Sequence, residues 1–165
     1  MEILLVSPFK PLMVILSKFV PYLIISLVNV TSILLLSWIF LHLPVKGSIL
    51  LLYAVSLLFI ITSLAIGLLI SIVSQSQQSA MFGSLMATML PTLLLSGFMF
   101  PIENMPLPLQ IISNIVPSKW FYIIVKDIMI KGSGFGAIWK ETLILAGMTV
   151  FLLIVSLKKF KIRLE

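Results

Sequence analysis

The chain consists of long apolar stretches separated by a few charged or polar positions. No charged residue occurs between Lys18 and Lys46, a stretch of 27 residues, or between Lys46 and Glu103, a stretch of 56 residues. An α-helix needs about 20 apolar residues to cross the hydrocarbon core of a bilayer. The first stretch is therefore long enough for one span, and the second for two spans joined by the polar Ser/Gln turn at residues 74–79.

A last apolar segment, Thr142 to Leu157, can be extended back to Ala137. Unbroken apolar runs such as 49–61 predict helices, because the strands of a membrane barrel alternate apolar and polar residues. The sequence therefore predicts an all-α integral membrane protein, with short interfacial helices in its last long loop. Its four transmembrane helices are expected at about residues 19–42, 49–73, 81–100 and 137–157.

The segments between and around these spans also have distinct patterns. Residues 1–18 carry Pro8 and Pro11, which break a long helix, and are expected to lie along the membrane interface. Residues 101–136 contain several prolines and glycines, yet their runs 109–116 and 120–130 are strongly apolar. Two short helices that dip into the bilayer or lie on it fit this pattern better than a solvated loop. Residues 158–165 form a charged tail.

Composition excludes several classes of protein. Apolar residues make up 61% of the chain and charged residues 10%, against about 25% charged in soluble proteins. A soluble enzyme, a disordered chain and a nucleic-acid-binding domain are therefore excluded. The chain has no cysteine and a single histidine, His42, which we interpret as an interfacial residue. We find no nucleophile motif, acid pair, metal-ligand cluster or P-loop, so another chain would have to supply energy for any driven process.

The net charge of +6 divides almost evenly between the two sides of a four-span bundle. Six basic residues belong to the side of the termini and five to the other side. The densest cluster, residues 158–163, directly follows the last span, where the positive-inside rule has most force. This cluster favours a cytoplasmic location for both termini.

Small residues recur at four-residue spacing in the second and third spans, where they allow close helix approach. This stripe is either an interface with another subunit or ordinary packing within the chain, and the second interpretation is favoured. Its members are Ser63, Gly67, Ser71, Ala80 and Ser84. In the third span, Pro91 predicts a kink that frees a backbone carbonyl.

The acidic residues that follow the third span have two interpretations. Glu103 ends the longest uncharged stretch, and an acid near membrane depth is a functional candidate. Alternatively, Glu103 and Asn104 cap the next short helix. Asp127 and Lys131 are four residues apart, which predicts a surface ion pair.

The segment after the third span contains a recognisable motif. It runs Ser96-Gly97-Phe98 and continues from Phe100 to Pro106, and it is similar to the outer-loop signature of the drug-efflux-like members of the type-2 (exporter) class of ABC transporter permeases. The run from Glu2 to Pro8 resembles the segment that leads from the cytoplasmic coupling region of these permeases. The segments 67–71, 77–81 and 117–132 also look like their family counterparts.

This resemblance implies a plasma-membrane permease subunit with cytoplasmic termini and an extracytoplasmic loop at 101–136. Such a subunit forms a homo- or heterodimer in the lipid bilayer and docks onto ABC ATP-binding subunits. It has no cofactor of its own, since ATP is bound by the partner, and no nucleic-acid partner. The family usually has six spans with a large domain after the first, and this chain looks like the last four spans.

The resemblance also implies roles for particular residues. The expected contacts with the ATPase are Glu2, Leu4, Leu5, Ser7 and Pro8. The expected outer-loop or exit residues are Phe100, Pro101, Glu103 and Asn104. One alternative function is a non-catalytic small membrane protein or regulator derived from a truncated permease. An intramembrane enzyme is a further alternative, which the residue inventory disfavours.

Overall fold

The computed structural model describes residues 11–42 and 45–164, and all regular secondary structure in these ranges is helical. Four helices are long and apolar enough to cross a membrane, which confirms the predicted fold class: Phe19–Phe40, Ile49–Val73, Gln77–Leu95 and Phe135–Lys159. The seven α-helices are α1 (Pro11–Leu41), α2 (Ile49–Val73), α3 (Gln77–Ser84), α4 (Leu90–Leu95), α5 (Leu107–Ser113), α6 (Pro117–Met129) and α7 (Phe135–Leu164).

The first helix is longer than its apolar stretch. Its described part runs from Pro11 to Leu41, so residues 11–18, which were expected in a separate interfacial segment, are helical and continuous with the first span. The helix ends at Leu41, and His42 follows in a left-handed conformation with φ of 49°. The rest of the predicted interfacial segment, residues 1–10, lies outside the described residues.

The core of the bundle lies between α2, α6 and α7. Its buried apolar side chains are Leu52, Val55, Ile124, Ile128, Ile138 and Leu145. Ser48 caps the start of α2 by accepting a hydrogen bond from the Leu51 N–H. Because α6 occupies one side of this core, the segment after the third span belongs to the packed interior of the bundle.

Hydroxyl groups join α2 to α7 deeper in the bundle. The Thr62 and Thr149 hydroxyl oxygens lie 2.6 Å apart, and Ser156 Oγ donates to the Ala65 carbonyl at 3.0 Å. The two contacts advance together along both helices, from Thr62 with Thr149 to Ala65 with Ser156, so α2 and α7 run parallel. Both helices therefore begin at the same end of the bundle, which we call the loop end. The opposite end is the tail end.

The third span is interrupted. A capping box between Ser76 and Ser79 starts α3, and a π-helical turn at residues 85–89 separates α3 from α4. This turn precedes Pro91, so the irregularity expected at this proline takes the form of a π turn. The span ends at Leu95 rather than at 100 and begins four residues earlier than expected. Gly97, with φ of +85°, lies in the bends that follow.

The small-residue stripe does not pack within the described part of the chain at Ser63 and Gly67. Both residues are exposed, and a Cβ added to Gly67 would meet nothing within 4 Å. The interpretation as internal packing is therefore wrong at these positions, because the buried face of α2 is a different one. The third span instead approaches α2 where Gly83 faces Ile70. An interface with another subunit stays a prediction for Ser63, Gly67, Ser71, Ala80 and Ser84.

Candidate functional site in the re-entrant loop

Helix α6 enters the bundle from the loop end and reaches about its middle. The rings of Phe121 and Phe59 stack with centroids 4.2 Å apart. Phe59 lies ten residues beyond Ile49, the first residue of α2, which corresponds to about 15 Å along the helix. The hydrocarbon core is about 30 Å thick. The distance is that expected for a loop that dips into the bilayer, and this placement of the loop stays a prediction.

The other end of α6 contacts the loop between α1 and α2. The Lys46 N–H donates to the Met129 carbonyl at 3.3 Å. A Cβ built on Gly47 would lie 2.7 Å from the Ile128 carbonyl oxygen, so only glycine fits this approach. Gly132, with φ of +67°, packs against Lys46. Helix α6 thus runs antiparallel to α2, with its first residues deep and its last residues at the loop end.

The third span meets the deep end of α6. Ser118 Oγ donates to Thr92 Oγ1 at 3.1 Å, and the rings of Phe98 and Tyr122 make an edge-to-face contact at 6.2 Å. Thr92 is close to the end of α4, while Ser118 is at the start of α6. The third span therefore stops well short of the loop end of α2, and the segment 96–116 occupies the space above it.

The turn at residues 101–105 is held by Gln110. Its Nε2 donates to the Met105 carbonyl at 2.8 Å and to the Glu103 carbonyl at 3.5 Å. The proposed cap on the next helix is wrong, because α5 starts after Pro106 with no side-chain cap. The side chain of Glu103 is exposed, and its exit-route interpretation stays a prediction.

The other residues implied by the resemblance are distributed as follows. Phe100, Pro101 and Asn104 are exposed like Glu103, on the same turn. The expected ATPase contacts, Glu2, Leu4, Leu5, Ser7 and Pro8, lie outside the described residues. The structure therefore brings the four exit candidates together and leaves the ATPase contacts as predictions.

Lys119 is a charged residue that sequence reasoning counted only among the loop-side lysines. Its Nζ donates to Asn114 Oδ1 at 2.6 Å and to Ser113 Oγ at 3.2 Å. The ammonium also lies 5.3 Å from the ring centroid of Trp120, whose Nε1 donates to the Asn114 carbonyl at 3.0 Å. No local sequence motif indicates this arrangement, because it depends on the depth of α6.

The predicted ion pair between Asp127 and Lys131 is confirmed, with Lys131 Nζ 2.6 Å from Asp127 Oδ1. It lies in the last turns of α6, towards the loop end. The pair stabilises the turn locally by a few tenths of a kcal/mol, as is usual for exposed pairs at this spacing.

Glu141 is a second charged residue whose environment the sequence does not reveal. It follows Ile138 by three residues and precedes Leu145 by four, and both of these are fully buried. Its Oε2 is buried without a hydrogen-bond partner among the described residues. No group of three or more metal-ligating side chains occurs in the described part of the chain.

Comparisons with known proteins agree with this architecture. Residues 1–158 match the family of ABC-2 family transporter proteins. The chain is 32% identical over 133 residues to the probable multidrug ABC transporter permease YbhS of Escherichia coli, covering 81% of this chain and 35% of the relative. It is 34% identical over 139 residues to YbhR, a protein of the same description, covering 84% and 37%.

A eukaryotic relative matches as well. ABC transporter G family member 20 of Dictyostelium discoideum is 28% identical over 145 residues, which cover 87% of this chain and 20% of the relative. No solved structure shows significant similarity to the chain. The matched region spans about a third of the length of the two E. coli relatives. With its four apolar spans, this chain belongs to the ABC-2 transporter family and is a membrane-spanning permease component of that family.

Proposed function

We propose that this chain forms the membrane path of an ABC exporter in which a separate subunit binds and hydrolyses ATP. The family match and the permease names of its relatives support the role of a transport subunit. The chain itself would have no catalytic site, since its residues offer no nucleophile, acid pair or phosphate-binding loop. The multidrug description of the E. coli relatives suggests apolar or amphiphilic substrates.

The packing of α6 against the middle of α2 is the observation that carries this proposal. Irregular backbone at membrane depth is tolerated where it is buried in protein or lines a cavity. Here the segment 96–116 and α6 occupy the space above a third span that stops at about mid-depth. Such a segment is suited to closing a path at the loop end and opening it when the spans move.

We assign the ATPase partner to the tail end and the second permease to the exposed helix faces. The apolar part of α1 and the third span contain no buried residue within the described chain. The exposed stripe of Ser63 and Gly67 offers a close-packing surface to a partner helix. A homodimer and a heterodimer are both compatible with this surface.

The orientation can be measured by cysteine accessibility, because the chain has no native cysteine. Gln75→Cys lies in the exposed turn of the tail end, and Gly134→Cys in the exposed loop before α7. In intact cells, a membrane-impermeant maleimide is expected to label Gly134→Cys and to leave Gln75→Cys unlabelled until the cells are opened. The reverse pattern would contradict cytoplasmic termini.

Transport can be measured with the chain and an ABC ATP-binding subunit from the same organism. We expect the two proteins to co-purify, and inverted vesicles that contain both to take up at least one of two amphiphilic probes, cationic ethidium or an anionic radiolabelled fatty acid, in an ATP-dependent, vanadate-sensitive manner. Co-purification without uptake of any probe would favour a regulatory protein instead, a function suggested by the chain spanning about a third of its relatives.

The exit role of the outer turn has its own test. Glu103→Gln removes the charge and keeps the shape, and Asn104→Ala shortens the neighbouring exposed side chain. If Phe100, Pro101, Glu103 and Asn104 line the exit, Glu103→Gln lowers the uptake rate while leaving ATPase assembly intact. Unchanged uptake in both variants would remove these residues from the path.

A further inference from the structure

The strongest unexplained feature of the molecule is the ammonium of Lys119 at the level of the middle of α2. Lys119 precedes Phe121 by two residues on α6. The last residues of this helix lie at the loop end and its first residues lie deepest, so Lys119 is deeper than Phe121. Since Phe121 stacks on Phe59, Lys119 lies about 15–18 Å from the loop end of α2. A lysine at this depth is costly and marks a functional position by default.

The groups around Lys119 are all neutral. Its hydrogen-bond acceptors are the Asn114 amide and the Ser113 hydroxyl, and the Trp120 ring lies beneath its charge. Among the described residues, Lys119 has no carboxylate within salt-bridge distance, since the only ion pair there joins Asp127 to Lys131. The positive charge is therefore solvated by the protein but not neutralised by it.

A second lysine, Lys126, lies between Lys119 and the loop end of α6. Lys126 is seven residues later on α6, which places it on the same face about 10 Å nearer the loop end. Its Nζ lies 6.0 Å from the ring centroid of Tyr122, which stands between the two lysines on that face. Lys126 is exposed. The face thus offers two positive charges with an aromatic surface between them.

We propose that Lys119 binds the anionic group of an amphiphilic substrate at mid-membrane, and that Lys126 is the next cation on its way to the loop end. This inference rests on the proposed exporter function and narrows it to substrates with a carboxylate or phosphate on an apolar body. The apolar body of the substrate would lie against apolar side chains at the same depth. Its anionic group would supply the counter-charge that the Lys119 ammonium lacks. Charge-assisted hydrogen bonds to such an anion are the strong kind.

The test uses the purified full chain in neutral detergent micelles and two matched probes. Dibrominated stearate is an anionic amphiphile that quenches tryptophan, and its methyl ester is the neutral counterpart. Trp38→Phe and Trp139→Phe, both at exposed positions, leave Trp120 beside Lys119 as the sole tryptophan. We expect stearate to quench Trp120 at about tenfold lower concentration than the ester.

The variants separate the charge of Lys119 from a general effect. Lys119→Gln is expected to abolish the preference for stearate, and Lys119→Arg to retain it. Lys158→Gln removes the same charge at the exposed tail end and is expected to retain it. If Lys119→Gln does not fold, as judged by its melting transition, Lys119→Met keeps the aliphatic stem and carries the same expectation.

Several results would overturn this site. The site is wrong if the two probes quench equally. It is also wrong if the preference for stearate survives Lys119→Gln, or if that preference is lost in Lys119→Arg or Lys158→Gln. Competition by inorganic phosphate at the concentrations at which stearate binds would indicate a small soluble anion instead. The assay needs no ATPase, so uptake of either transport probe without stearate preference rejects only the site. Stearate preference without any uptake rejects only the exporter function.

Discussion

A methyl group added at Gly47 tests whether the end of α6 packs against the loop between α1 and α2. The substitution Gly47→Ala adds a Cβ that would lie 2.7 Å from the Ile128 carbonyl oxygen and 2.9 Å from the Ile128 Cγ2. The nearer of these atoms belongs to the backbone of α6 and cannot rotate away. The loop before α2 and the end of α6 must therefore separate, which also strains the bond from the Lys46 N–H to the Met129 carbonyl.

The size of this effect follows from the two contacts. Overpacking at a close contact costs about 1–3 kcal/mol, and loss of the backbone bond adds about 1 kcal/mol. For a chain of this size, 1 kcal/mol corresponds to about 2–4 °C in Tm. We therefore expect Gly47→Ala to lower the Tm by about 4–16 °C, with the local loss concentrated where α6 meets the α1–α2 loop.

The assay is thermal unfolding in detergent micelles, followed by amide hydrogen exchange at Lys46 and the end of α6. The matched control is Gly134→Ala, because a Cβ there meets nothing within 4 Å and the residue lies in a neighbouring loop. The control is expected to melt like the parent protein. If Gly47→Ala also melted like the parent, with unchanged exchange at Lys46, the close contact and the docking deduced from it would be wrong.

Two further predictions concern polar groups inside the bundle. The hydroxyl oxygens of Thr62 and Thr149 form a buried pair at 2.6 Å. A double-mutant cycle with Thr62→Val and Thr149→Val, measured by thermal unfolding, is expected to give a coupling energy of about 0.6 kcal/mol. Strictly additive effects of the two substitutions would contradict the pair. Glu141→Gln replaces a buried carboxylate that has no partner for Oε2, so it is expected to leave Tm unchanged or raise it by a few degrees. A large fall in Tm for Glu141→Gln, with Glu103→Gln as the exposed control, would mean that Glu141 has a counter-group beyond the described residues.

Most of the membrane architecture was predictable because it depends on local composition. Charge-free stretches located the four spans, and the four-residue spacing identified the pair of Asp127 and Lys131, which the structure confirms. Errors arose where a local signal has two outcomes. Residues 11–18 continue the helix of the first span instead of forming a separate interfacial segment. The third span ends at Leu95, because Gly97 turns the chain before the apolar run is exhausted.

The candidate site was less predictable, because local sequence determines neither how deep a segment lies in the bundle nor which face of a helix packs inside it. The four exit candidates lie together on one exposed turn, as contiguous residues must, but the small-residue stripe of Ser63 and Gly67 faces outward rather than into the chain. Amphipathic patterning could not distinguish these faces, since nearly every position of α2 is apolar and all its faces suit lipid.

The sequence by itself determined that this chain is a membrane protein and where its spans lie, because the cost of placing charge in hydrocarbon is imposed residue by residue. Its motifs also determined which family it resembles. Only the tertiary structure decided that α6 turns back to mid-depth against Phe59, that Gly47 must remain glycine, and that Lys119 holds its charge among neutral partners. Those facts depend on contacts between segments far apart in the chain, and composition carries no record of such contacts.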